Sequence, residues 1–251
     1  METPKSPDAP EQPKQIVSLA DKLREIYESV DLRSTCCRQC TCCRVSCPQM
    51  HYGEALNIIE RVWVRPIAER RALLKTCMRY FFSNSMVKPC ILLGTAPDGK
   101  PGCSVYEARP LNCRLYGLWP DSIYNARVHH FVKATGFDRH QLPLNRQCPF
   151  VRRVSPAPKL TEELIEALFN RLKQIDVCLG SFRRREVDKG ISYRTIHDWM
   201  LFHYLGEEKL SELSRAYVGF KPEEVQDFIA NFEKLMDADA DADAKDKKSP
   251  G

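Results

Sequence analysis

The segment of residues 36–48, which reads CCRQCTCCRVSCP, constrains the fold of this chain more than any other feature. It holds six of the twelve cysteines of the protein within twelve residues. Adjacent cysteines such as Cys36/Cys37 and Cys42/Cys43 do not meet the geometry of a normal disulfide. Thiols that converge at this density otherwise share a metal, so this segment, the cysteine loop, predicts a metal site.

A regular spacing lies inside the cysteine loop. Cys37, Cys40, Cys43 and Cys47, followed by Pro48, fit the pattern C-x2-C-x2-C-x3-C-P, which bacterial ferredoxins use. Two-residue gaps let successive thiolates converge on a cubane while backbone N–H groups donate to the sulfurs. The spacing favours an iron–sulfur cluster of the 4Fe–4S type. A four-coordinate structural zinc site, which also uses C-x2-C pairs, is the alternative that the spacing leaves open.

The composition predicts a cytoplasmic, globular protein. Of the 251 residues, 43% are hydrophobic and 28% are charged, which suits one or two folded domains. No run approaches the roughly 18 apolar residues of a membrane span, and residues 1–15 contain no apolar signal region. In a reducing compartment, twelve cysteines favour metal binding over disulfides.

The charge pattern supports a thiolate site. The formal net charge is +5, and because residues 237–246 are acidic, the remaining chain is more basic than this total. Guanidinium groups near a thiolate site would compensate its negative charge, and the arginines next to or near cysteines are Arg38, Arg44, Arg114 and Arg146. The arginine triplet at 183–185 alone is weak evidence for a nucleic-acid surface. We expect a protein or redox partner instead, and no membrane.

Hydrophobic periodicity predicts a mainly α fold, with an irregular, metal-centred, cysteine-rich core, flanking helices and little regular sheet. Helices are predicted around 16–30, after Pro48, and over 67–82, 161–179, 191–205, 207–217 and 222–236. We divide the chain into a disordered N-terminus (1–14), a cysteine-cluster metal-binding domain (15–155), a C-terminal helical region (156–236) and a disordered charged tail (237–251).

Residues 83–120 have no helical period and contain many prolines and glycines. A long irregular region inside a compact domain needs an organiser, and a metal bound by Cys90, Cys103 and Cys113 would supply one. Cys148 is a further candidate, with a buried thiol as its alternative, whereas Cys77 and Cys178 fall on apolar helix faces and are predicted to be buried thiols. The candidate ligands are therefore Cys37, Cys40, Cys42, Cys43, Cys47, Cys90, Cys103, Cys113 and Cys148. Setting Cys77 and Cys178 aside leaves ten cysteines, more than one four-ligand site requires, so two centres are conceivable.

The segment CSVYEARPLNCRLYG at residues 103–117, preceded by KPCILL at 88–93, resembles the YkgJ-type cysteine-cluster family, a zinc- or iron-chelating domain. That family pairs a crowded cysteine loop with a later signature C-x-I/V-Y-E-x-R-P-x-x-C-R. The matching residues are Cys103, Tyr106, Glu107, Arg109, Pro110, Cys113 and Arg114. In the cysteine loop, Thr41 stands alone where the family usually has two residues. The resemblance therefore leaves open which of Cys36, Cys37, Cys42 and Cys43 bind metal.

Within this signature, we predict that Glu107 and Arg109 pair beside the metal and that Tyr106 and Tyr116 shield the site from water. A surface salt bridge and two core aromatics are the alternative. The resemblance also extends to flagellin lysine N-methylases, which carry a similar cysteine cluster. The chain has no nucleotide-binding glycine loop, nucleophile elbow or H-E-x-x-H motif. Whether it is an enzyme is therefore left open.

Overall fold

The structure, a computed structural model, describes residues 18–31, 34–36, 47–83, 88–95, 101–116, 118–120, 122–123, 125–126, 129, 133, 151–153, 160–217, 219 and 221–246. At 34–36, 95, 101, 151–153 and 238–246 it describes the backbone only.

The described chain is mainly helical, which confirms the predicted fold class. Its helices are α1 (Leu19–Asp31), α2 (Tyr52–Trp63), α3 (Ile67–Phe81), α4 (Leu111–Leu115), α5 (Glu162–Cys178), α6 (Arg184–Asp188), α7 (Ile196–Leu205), α8 (Glu207–Tyr217) and α9 (Pro222–Asp246). None of them combines the length and the apolar character that a membrane span requires.

Six short strands form three antiparallel pairs in the described chain. They are β1 (Ser34–Cys36) with β5 (Val151–Arg153), β2 (Gln49–His51) with β6 (Tyr193–Thr195), and β3 (Leu93–Thr95) with β4 (Pro101–Cys103). Cys36 pairs with Val151, His51 with Tyr193, and Leu93 with Cys103. Two of the pairs, β1–β5 and β2–β6, join distant parts of the sequence. They therefore connect helices that are far apart in the chain.

The larger of the two hydrophobic cores in the described residues combines α2 and α3 with α7, α8 and α9, and includes Cys90, Ile91, Leu92, Val105 and Ala108. Trp199 is fully buried at its centre, and its indole N–H donates to the Met50 carbonyl at 3.1 Å. The larger core therefore combines residues of the predicted cysteine-cluster domain (15–155) with residues of the predicted C-terminal helical region (156–236). Position 156 itself lies outside the described residues.

The smaller core combines α1, α4 and α5. Leu23, Ile26 and Val30 of α1 are fully buried, as their helical spacing predicts. On α5, Thr161 caps the first turn by accepting from the Leu164 N–H at 3.2 Å, which confirms the predicted N-cap. Gly53 at the start of α2 lies close to Ile175 of this core, so α2, whose apolar residues belong to the larger core, contacts both cores.

Three features differ from the sequence-based expectation. The helix predicted over 191–205 begins only at Ile196, because residues 193–195 form strand β6. The chain forms strand β2 before α2 begins, because its backbone pairs with β6. The last helix continues to Asp246, into the segment predicted to be a disordered tail. The predicted N-terminal segment 1–14 and residues 247–251 lie outside the described residues.

A close approach of α2 and α5 at Gly53 gives a test of this packing. A Cβ atom at position 53 would lie 2.8 Å from Ile175 Cγ2, and a β-branched side chain has little freedom to move away. We expect Gly53→Ala to lower the free energy of unfolding by about 1–3 kcal/mol, as overpacking does, in urea unfolding. Gly94→Ala is the matched control, since nothing lies within 4 Å of its Cβ position; equal stabilities of the two variants would contradict the packing.

Candidate metal centre

Three of the predicted ligands border the larger core. Cys90 is 7% exposed, and Cys47 and Cys103 are half-buried against the same core. The Cys90 carbonyl accepts from the Leu93 N–H at 3.0 Å, and Cys103 pairs with Leu93 on the neighbouring strand. Cys103 therefore belongs to the β3–β4 pair, and Cys90 belongs to the turn that leads into β3.

Tyr80 lies among these thiols. Burial raises the pKa of Tyr80, and the charges of Cys47, Cys90 and Cys77 raise it further. The Lys88 ammonium donates to the Tyr80 carbonyl at 2.8 Å. Burial lowers the pKa of Lys88, while the negative charges of Asp198 and Cys47 act in the opposite direction. The Lys88 ammonium therefore lies near Cys47, a predicted thiolate ligand, at this edge of the core.

Cys77 lies on the same side of the core. It is fully buried, as its place on the apolar stripe of α3 predicts. Burial, with smaller effects of Asp198 and Cys90, raises the pKa of the Cys77 thiol far above its ordinary range. The raised pKa disfavours the thiolate that a metal ligand requires, which suits a packing role for Cys77.

Cys113 has different surroundings, because it lies on α4, which packs in the smaller core. The neighbouring Arg114 side chain is 4% exposed and donates to the carbonyls of Arg109 at 2.8 Å and Glu107 at 2.7 Å. It also forms a salt bridge with Asp31 of α1. Arg114 therefore ties the signature segment to α1 and fixes the turn that carries Cys113.

The first N–H group of α4 is held by a buried carboxylate. Glu54 Oε1 accepts from the Leu111 N–H at 2.6 Å and from the Tyr27 hydroxyl at 3.2 Å, while Glu54 Oε2 accepts from the His51 N–H at 3.1 Å. Glu54 is 1% exposed, and burial raises its pKa despite these hydrogen bonds. One carboxylate thus joins α1, α2 and α4.

A second buried carboxylate anchors α2 to α5. Asp176 Oδ1 accepts from the Gly53 N–H at 2.8 Å, and Asp176 Oδ2 lies 2.8 Å from His51 Nδ1. Both the Asp176 and the His51 side chains are at most 4% exposed. Because helix N-termini leave N–H groups without intrahelical partners, Asp176 satisfies groups that burial would otherwise make costly.

Two contacts relate the cysteine loop to other predicted ligands. Asn112, next to Cys113, donates to the Gln49 carbonyl at 2.5 Å, and Gln49 follows Cys47 by two residues. At the other end of the loop, Cys36 pairs with Val151, which follows Cys148 by three residues. The described residues at the two ends of the loop thus contact residues that lie within three positions of another candidate ligand in the sequence.

The other predicted ligands, Cys37, Cys40, Cys42, Cys43 and Cys148, lie outside the described residues. Among the residues that are described, no group of three or more His, Cys, Asp or Glu side chains is placed so that it could hold a metal ion. The four described candidates therefore form only part of the predicted set.

The aromatic and charged residues of the signature make contacts that the spacing did not reveal. The Arg109 guanidinium lies 3.7 Å from the centre of the Tyr106 ring and 4.0 Å from Asp31 Oδ1. Arg109 thus stacks on Tyr106, which is half-buried. The predicted pairing of Glu107 with Arg109 beside a metal stays a prediction.

The prediction that Cys178 is buried was wrong. Cys178 is exposed, in the last turn of α5, and the following residue Leu179 is 37% exposed. This turn extends beyond the smaller core, which ends at Ile175. In this turn Val177, and not Cys178, packs against the larger core.

Sequence reasoning missed Glu54, Asp176 and His51. Glu54 is spaced by four residues from the buried Ile58, and Asp176 by four residues from the buried Leu172. A carboxylate in register with an apolar stripe points into the core and needs donors there. This register is the signal that could have identified both residues, although their partners depend on the tertiary fold.

No protein-family model, no curated protein and no solved structure matches this chain. The function inferred for the chain therefore depends on its own residues and their placement.

The buried Glu54 carboxyl gives a pH test. Because its pKa is raised above the ordinary value of 4.5, its contribution to stability is fully present below pH 4.5 and is lost as the pH rises through the raised pKa. We expect the difference in unfolding free energy between the wild type and Glu54→Gln to fall with increasing pH, in urea unfolding at several pH values.

Glu60→Gln is the control for this experiment, since Glu60 lies exposed on the same helix. It should reproduce the pH dependence of the wild type. A difference between wild type and Glu54→Gln that rises with pH would show that hydrogen bonding to the ionised carboxylate outweighs its burial.

Proposed function

We propose that this chain is a metal-binding cysteine-cluster protein that carries an iron–sulfur cluster, of the 4Fe–4S type, in electron transfer or in support of a modification reaction on another protein. The observation that carries the proposal is the position of the described residues that border the cysteine loop. Gln49 accepts a hydrogen bond from Asn112, the neighbour of Cys113, and Cys36 pairs with Val151, which follows Cys148 by three residues in the sequence.

The donor chemistry suits such a group. The described candidates, Cys47, Cys90, Cys103 and Cys113, offer only sulfur, and soft thiolates select iron–sulfur clusters, zinc or copper(I) over hard cations. Further ligands would come from the cysteines of the loop and from Cys148. When bound, an iron–sulfur cluster supplies one-electron redox chemistry at a potential that its protein surroundings tune.

The cations near the candidate ligands support the same proposal. The charges of Lys88 and Cys47 are close enough to interact, and so are the charges of Arg114 and Cys113. A site of several thiolates carries net negative charge with either iron–sulfur or zinc. In this proposal, Lys88 and Arg114 compensate that charge from two sides, and the half-buried Tyr80 and Tyr106 limit the access of water.

A zinc-stabilised protein-interaction module without catalysis is the second candidate. Between Cys90 and Arg109 the described chain has only the short β3–β4 hairpin and a single turn of 3-10 helix at Tyr106–Ala108. A metal ion can replace missing regular core in such a segment and provide folding free energy directly. The same ligands serve both candidates, so the metal itself distinguishes them.

We also infer that the protein works in the cytoplasm. Thiolate ligands require cysteines that stay reduced, and reducing compartments keep them so.

Metal analysis tests the proposed cluster. Protein purified under anaerobic conditions should be brown, absorb broadly near about 400 nm, and contain iron together with acid-labile sulfide. Colourless protein with stoichiometric zinc would refute the iron–sulfur proposal and support the interaction module. Protein that binds neither metal would refute both.

Ligand substitution tests the assignment of individual cysteines. We expect Cys113→Ser to lower bound metal to less than about half of the wild-type content and to destabilise the fold, because the metal contributes folding free energy. Cys178→Ser is the matched control, as Cys178 is exposed at the end of α5, and it should retain the full metal content. Equal metal loss in the two variants, measured by elemental analysis, would show that the sorting of ligands from other thiols is incorrect.

A further inference from the structure

A solvent-open cavity of about 470 Å³, lined by both polar and apolar side chains, lies beside the larger core, between the end of α3, the start of α7 and one face of α8. Its charged and hydroxyl-bearing lining residues are Arg194, Asp198, Glu207, Ser211, Ser214 and Arg215. Two guanidinium groups and two carboxylates thus face one space, a combination that complements a ligand carrying both charges.

Helix α8 arranges its polar residues along the cavity. Glu207, Ser211, Ser214 and Arg215 are spaced so that they share one face of the helix, while Leu210 and Leu213 are buried. Glu207 and Arg215 are eight residues apart, which corresponds to about 12 Å along the helix axis at 1.5 Å per residue. The cavity therefore has a carboxylate towards one end of this wall and a guanidinium towards the other.

The opposite wall is held in place by its own contacts. Arg194 Nε donates to the Ile191 carbonyl at 3.1 Å, and the guanidinium lies 5.3 Å from the ring centre of Trp199 and 5.6 Å from that of Phe202. Asp198 accepts from the Thr195 N–H at 3.3 Å, at the start of α7. A cation and an anion are thus positioned on this wall before any ligand binds, which lowers the entropy cost of binding.

We propose that this cavity binds a short peptide with free termini, with its ammonium group at Glu207 and its carboxylate at Arg215. Three residues in extended conformation span at most about 10–11 Å, which is close to the roughly 12 Å between positions 207 and 215 along the axis of α8. A guanidinium recognises a carboxylate through two parallel hydrogen bonds. The Ser211 hydroxyl offers a partner for the peptide groups between the termini, and Ser214 Oγ, which donates to the Leu210 carbonyl at 2.8 Å, can accept from a peptide N–H.

This binding site does not depend on the proposed metal. The two regions are nevertheless neighbours, because Asp198 lines the cavity and its charge also acts on Cys77 and Lys88. A peptide bound in the cavity would lie next to the side of the core that holds the thiols.

Calorimetric titration of the full chain with triglycine tests the proposal. We expect saturable binding of triglycine, and binding at least about tenfold weaker for N-acetyl-triglycine and for triglycinamide, because each lacks one charge-assisted interaction. Absence of saturable triglycine binding up to on the order of 10 mM would overturn the proposal. Equal binding of the three peptides would also overturn it, since the termini would then not be recognised.

Variants assign the two ends of the ligand. Arg215→Gln should remove the preference for triglycine over triglycinamide, and Glu207→Gln should remove the preference over N-acetyl-triglycine. Glu208→Gln is the matched control, because Glu208 is exposed in the same turn of α8, and it should bind as the wild type does. Circular dichroism confirms that each variant is folded, and unchanged preferences in folded Arg215→Gln and Glu207→Gln would refute the assignment.

Discussion

The buried carboxylates of Glu54 and Asp176 are the constraint on which the rest of the structure depends. Glu54 belongs to the start of α2 and Asp176, from α5, contacts it there. Together they accept hydrogen bonds from backbone groups of β2, α2 and α4 and from side chains of α1 and β2. An unpaired carboxylate at such a depth is too costly to remain charged. The helices must therefore pack so that these donors reach the carboxylates. This packing fixes the position of residues 51–54, which follow the cysteine loop.

This arrangement decides how the candidate ligands are distributed. Cys47, Cys90 and Cys103 border the larger core, whereas Cys113 belongs to the turn that Arg114 ties to α1. The Asn112–Gln49 hydrogen bond crosses between these two groups. In the proposed function, the metal would lie where the two cores meet, so that its binding and the packing of α2 would support each other.

Much of the fold was predictable from the sequence, because apolar residues at helical spacing must turn to a core wherever the chain is helical. The stripe on α3, the N-cap of α5 and the bounds of α8 follow from local rules. The candidate site was predictable only in part. The apolar periodicity predicted the burial of Cys77 correctly, but it wrongly predicted that Cys178 is buried. A local pattern carries no information on which residues the neighbouring elements cover.

The sequence by itself determined the helical content, the crowding of thiols and the residues of the signature, since these depend on spacing within short segments. The tertiary structure alone decided that β2 pairs with β6, that Asp176 caps α2, and that Glu54 holds α4. Each of these contacts joins residues far apart in the chain, and a buried polar group finds its partner only when both elements are packed together.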